Sequence, residues 1–158
     1  MLTTGAAVNM QFTAKIEQTF AYRKRMKYIA ETDSFIAKDC DSLGFVRNVR
    51  QPYGWIKQSG TPPQPHLDVY IMTERDFELG DEVEVRIIGV FWRADGDHKL
   101  VGVTLDRSIS DFSELSDVEK EAMRRLYGGK YEGEGWFGRD RAEEIINAFF
   151  EEFPQTTR

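Results

Sequence analysis

The stretch Asp95-Gly96-Asp97-His98-Lys99 gathers two carboxylates, an imidazole and an ammonium into five residues. Groups of these kinds can ligate a metal ion, hold a phosphate or pass a proton. Asp-Gly is also a preferred dipeptide for a two-residue hairpin loop, where both central positions need φ above zero. Val83 to Leu105 therefore reads as two long strands folded back at Asp95-Gly96. Val83, Val85 and Ile87 alternate with Glu82, Glu84 and Arg86, and the alternation resumes from Lys99. A two-residue loop pairs Trp92 with Lys99 and Val90 with Val101. It sets Asp97 and Lys99 on one face and Arg93 and His98 on the other. At an effective dielectric of ~20 and a separation of ~6 Å, Asp97 and Lys99 attract by about 3 kcal/mol before solvation is counted. The same residues also suit a solvated hairpin tip, so chemistry and turn are both open on this stretch alone.

The remaining elements follow from pattern. Met10 to Ile16 reads as a first strand. Four cations lie between Tyr22 and Tyr28, a phosphate or nucleic-acid patch or, preferably, a strand edge guarded by charge. Phe35-Ile36-Ala37 and Phe45 to Val49 are short strand candidates. Gln51 to Pro65 is a Pro- and Gly-rich loop with an extended insert at Tyr53 to Ile56. Leu67 to Met72 sets Leu67, Val69 and Ile71 on one face and Asp68 and Tyr70 on the other. Ser116 and Glu119 form a capping box for a helix whose stripe is Val118, Ala122, Met123 and Leu126. A second helix, expected to start near Asp140 with Glu143 completing its box, buries Ala142, Ile145, Ile146, Phe149, Phe150 and Phe153. Strands first and helices last give an α+β chain: a small closed antiparallel β-barrel flanked by two C-terminal helices.

Composition narrows the setting. A chain of 158 residues is long enough for one domain with a full core. The single Cys40 rules out an internal disulfide, which fits a reduced, cytoplasmic location. Gly5 to Val8 follow no basic segment, and no run approaches a membrane span. The net charge of -6 disfavours a general nucleic-acid binder. Residues 1–8 and 154–158 are expected to be loose ends.

Pro52-Tyr53-Gly54-Trp55-Ile56, Leu67-Asp68-Val69, Gly80 to Val90, Asp97 to Val103, and Gly135-Trp136 before a last helix resemble, in that order, the soluble magnesium-dependent inorganic pyrophosphatases. The resemblance runs from about Val8 to Phe153. It implies an OB-like barrel with helices outside and a polar cavity at one end, a Mg2+ cofactor, pyrophosphate or a related phosphoanhydride as substrate, and a homo-oligomer. It makes Asp68 and Asp97 metal ligands, with Asp95 a further one if the turn is shortened. It makes Lys99 and Tyr53 phosphate contacts, with Lys27, Lys38, Tyr127 and Lys130 as further substrate-binding residues. Two carboxylates of the family's pattern fall on Pro63 and Pro65, which removes a ligand and the group that accepts the water's proton. A third falls on Ile29, and the early glutamate of the first strand falls near Met10 or Gln11. His66 is the candidate substitute base, because a neutral imidazole can accept that proton. The departures leave two readings: a hydrolase with a rebuilt base, and a binding module that keeps the fold without the chemistry.

Overall fold

Alternating apolar residues build the barrel. The computed structural model describes residues 10–154, and the segments expected to be loose lie outside them, Pro154 excepted. Strand β1 (Gln11–Gln18) turns Phe12, Ala14 and Ile16 inward. It pairs with β4 (Tyr53–Ile56) on one side and β6 (Glu82–Trp92) on the other. β4 continues to β5 (Asp68–Met72), β5 to β7 (Lys99–Thr104) and β7 back to β6, so five strands close on themselves. A sixth strand, β8 (Gly135–Gly138), pairs with the end of β6 and extends the sheet. The strands β2 (Lys24–Ile29) and β3 (Ser34–Asp41) form a separate exposed hairpin. Inside the barrel lie Leu67, Val69, Ile71, Val85, Ile87, Val90 and Leu100, closed off by Ala142, Ile146 and Phe150 of helix α3 (Arg139–Glu152). Outside, Met72, Ile88, Val101 and Val103 pack against Ala122, Met123 and Leu126 of α2 (Asp117–Leu126). At about 25 cal/mol per Å2 of apolar area, each such buried side chain contributes roughly 1.5–3 kcal/mol.

The expected α+β barrel with external helices is what forms, with one pairing of different sense. β7 folds back from β6 and lies beside β5, and those two strands run parallel, with Asp68 next to Lys99. Four local expectations are corrected. Phe45 to Val49 is not a strand: Ser42 caps the Phe45 N–H and starts the short helix α1 (Leu43–Arg47). Val118 is not on the buried stripe of α2 and is 79% exposed. Helix α3 begins at Arg139 rather than Asp140 and has no capping side chain of its own. Asp111, from the connection before α2, accepts the Arg139 N–H at 2.9 Å instead. The Asp95-Gly96 loop is longer than two residues. Gly96 N–H bonds to Arg93 O at 3.1 Å, Gly96 follows the turn at φ 86°, and Phe91, not Trp92, faces Lys99. A one-residue slip inverts faces. Arg93 therefore joins Asp97, while Trp92 stacks on His98 with ring centroids 5.4 Å apart.

No helix among the described residues is long and apolar enough to cross a membrane.

Candidate active site

Lys99 is the centre of the site. The residue is only 6% exposed, although it opens β7 at the end of a turn. Three protons meet three partners: Asp68 Oδ2 at 2.8 Å, Asp97 Oδ1 at 3.1 Å and the Tyr53 hydroxyl at 3.3 Å. The parallel β5–β7 pairing supplies Asp68, the turn supplies Asp97, and β4 supplies Tyr53 from across β5. Gly54 makes that placement possible, because a Cβ there would run into the Lys15 carbonyl oxygen where β1 and β4 shift register. On the far side of Asp68, His66 Nε2 lies 3.0 Å from Oδ1, while its Nδ1 lies 2.7 Å from the Gln64 carbonyl. Both partners are acceptors, so the ring satisfies both only as a doubly protonated imidazolium. A ring donating from both nitrogens has no lone pair for a proton, which sets it apart from the base expected of His66. Arg93 reaches Asp95 at 3.3 Å and Asp97 at 3.8 Å and lies over the Tyr127 ring at 5.3 Å.

The electrostatics follow from this packing. Burial alone lowers the Lys99 pKa, but Asp68 and Asp97 outweigh it and the net shift is upward. Burial likewise raises Asp68, and His66 and Lys99 reverse the sign to hold it below the ordinary carboxylate range. Tyr53 is pushed well above its ordinary value, first by burial and then by Asp68, and keeps its proton. The His66 ring is held above its usual value, since the Asp68 hydrogen bond overcomes the effect of burial.

These groups face a cleft of about 1130 Å3 on the outer side of the barrel, roofed by the β2–β3 hairpin and α1. Lys27, Lys38, Tyr127, His66, Asp68, Asp97, Lys99 and Tyr53 all line it, and neither Lys27 nor Lys38 is ion-paired to another described residue. Asp95 and Lys130 are not brought to it. Asp95 is a turn residue that accepts the Asp97 N–H at 2.9 Å, and Lys130 lies over Tyr131. His98 accepts the Arg93 N–H through Nδ1 and is structural, as its place on the face opposite Asp97 predicts.

One residue of the cleft escapes sequence reasoning. The carboxylate that β1 brings in is Glu17, not a group near Met10 or Gln11, where a buried methionine precedes the strand. Burial, and then repulsion from Asp68, push its pKa up to about 7. The alternation of β1 was the signal available, since Phe12, Ala14 and Ile16 point inward and Glu17 therefore points out.

Asp68 and Asp97 are the carboxylates of this geometry that a metal ion would use. The oxygens are of the hard type that suits a small dication, but both Asp68 oxygens and both Asp97 oxygens already lie against protein cations. Among the described residues no three His, Cys, Asp or Glu side chains converge as an ion cage. The site as folded does not fit a resident ion.

The model of the inorganic pyrophosphatase family matches residues 14–154. The chain belongs to that family. Within the family its likeness to solved structures is one of fold at low identity. The inorganic pyrophosphatase of Neisseria gonorrhoeae superposes with a TM-score of 0.74 at 20% identity, covering 98% of each chain. That of Thermus thermophilus gives 0.70 at 19% identity, with 96% of each chain covered. That of Ehrlichia chaffeensis gives 0.69 at 18%, covering 93% of this chain and 97% of the other. None of the curated proteins matches the sequence. The family is a metal-dependent one, and pyrophosphate hydrolysis is the activity that membership supports.

Proposed function

We propose that the cleft binds pyrophosphate and hydrolyses it to two phosphates with magnesium as the supporting cation. The observation that carries this reading is the buried Lys99, held by Asp68, Asp97 and Tyr53 on the wall of a cleft whose opposite wall presents Lys27 and Lys38. Fixed donors aimed at phosphate oxygens stabilise charge as it develops on the leaving phosphate, without reorganising at the moment of reaction. Lys99 and the protonated Tyr53 hydroxyl supply those donors from the floor. Lys27 and Lys38 add charge from the hairpin, and Arg93 and Tyr127 close the side. His66 acts as a fixed cation that orients Asp68. Glu17 is a partly buried cleft carboxyl for which no hydrogen bond is made by a described residue. With its pKa near neutrality, it is the group that accepts the proton of the attacking water. Magnesium would neutralise substrate charge and acidify water, and it suits the phosphate oxygens of this substrate. A cytoplasmic location and a homo-oligomer belong to the same reading, the first resting on the single exposed Cys40 and the acidic composition. Size-exclusion with light scattering tests the oligomer.

The test is phosphate release from pyrophosphate across a magnesium titration. Release that rises with magnesium and is lost in Lys99→Gln and Asp97→Asn is expected. A folded wild-type protein that releases no phosphate at any magnesium concentration would sink the reading.

A further inference from the structure

Asp68 and Asp97, the two carboxylates beside Lys99 in this cleft, are already neutralised by the chain itself. Asp68 has one oxygen 3.0 Å from His66 Nε2 and the other 2.8 Å from Lys99 Nζ. Asp97 has oxygens 3.1 and 3.2 Å from the same ammonium, with Arg93 at 3.8 Å. His66 is itself locked in place by the Gln64 carbonyl at 2.7 Å. A bare dication seeking these oxygens has to displace Lys99, which is almost wholly buried and would keep only the Tyr53 hydroxyl, at 3.3 Å, as a partner among the described residues. It would then leave that ammonium unpaired beside a second positive charge, the costly outcome for any buried ion. Pyrophosphate reverses the balance. Its oxygens offer Lys99 and Arg93 new acceptors, which frees Asp97 and the Lys99-bound oxygen of Asp68 for the ion that the substrate carries. Magnesium keeps its waters readily and is commonly bound by one or two carboxylates together with substrate phosphates.

Resting on the pyrophosphate reading above, we propose that this chain holds no resident divalent ion. Magnesium enters only as the magnesium–pyrophosphate complex, because His66, Lys99 and Arg93 occupy the carboxylate oxygens that a resident ion would need. The protein cations thus do for Asp68 and Asp97 what metal ions do in a carboxylate cage. His66 decides the matter, since it closes the Asp68 oxygen that Lys99 leaves open.

Calorimetric titration with magnesium chloride, with and without imidodiphosphate as the unhydrolysed analogue, tests this, with melting temperature as a second readout. Magnesium alone is expected to give no saturable binding through the millimolar range and no rise in melting temperature. Magnesium with imidodiphosphate is expected to bind saturably and raise it. In His66→Ala, checked for an unchanged circular dichroism spectrum, magnesium alone should bind saturably within the millimolar range. Saturable binding of magnesium alone to the wild type overturns the inference and leaves the pyrophosphate reading standing. Imidodiphosphate binding equally well in chelator also overturns it. If neither magnesium nor its complex with imidodiphosphate binds, the pyrophosphate reading falls and the inference with it.

Discussion

Lys99 and Lys27 bring the same functional group to the same cleft under opposite conditions. Lys99 is buried and bonded to two carboxylates and a phenol before any ligand arrives. Lys27 stands exposed on β2 without an ion pair to another described residue. The first is part of the fold, because removing it strands two carboxylates. The second costs the fold nothing, and its solvated charge is available for attraction and binding. The hairpin that carries Lys27 is tied down elsewhere: Tyr28 packs 4.9 Å from Trp55, its hydroxyl donates to Asp33 at 2.7 Å, and Lys15 of β1 reaches Asp33 at 2.9 Å. Rigid floor and charged roof are thus separate structural units that meet at the cleft.

The largest expected effect breaks the floor. Lys99→Met should lose nearly all phosphate release and lower stability by about 3–5 kcal/mol in urea unfolding, as breaking a buried pair does. Adding Asp68→Asn should restore part of that stability without restoring activity. A loss in Lys99→Met no greater than that in Lys27→Ala would erase the distinction between floor and roof.

Glu17 gives the next effect. Its folded pKa of about 7 lies above the unfolded value of 4.5. The folded state therefore binds the proton more tightly. The stability this brings is complete below the unfolded value and is lost as pH rises to the folded one. Unfolding free energy should fall by roughly 2–3 kcal/mol between pH 4.5 and pH 8, and Glu17→Gln should flatten that slope. The same variant should remove the acid limb of the pH–rate profile. A slope unchanged by Glu17→Gln would place the titration elsewhere.

For the roof, Lys27→Ala should raise KM about tenfold, the scale of one charge-assisted hydrogen bond. Its unfolding free energy should stay within about 0.5 kcal/mol of the wild type. Equal losses in KM and stability would show that the hairpin belongs to the folded core after all. The smallest effects belong to the turn. Gly96→Ala, at φ 86° with open space around it, should cost about 1 kcal/mol from backbone conformation alone. Asp95→Ala should change kcat/KM by less than about twofold, because its carboxylate serves the turn. A larger drop would return Asp95 to the site.

Strand periodicity was legible wherever one face of a strand is buried, since apolar contacts must repeat every second residue. That pattern alone determined Leu67, Val69 and Ile71 as core, Asp68 and Tyr70 as outward-facing, and Asp97 and Lys99 as sharing a face. The helical stripe of α3 was equally plain. Capping was not, because Asp111 reaches Arg139 from 28 residues away. Tertiary structure alone decided the rest: the parallel seating of β7 beside β5, the register slip that carried Arg93 to the Asp97 side, and the entry of Glu17 from β1. The residue types came from the chain. Their partners came from non-local strand pairing and a one-residue difference in a loop, neither of which leaves a local trace in a single sequence.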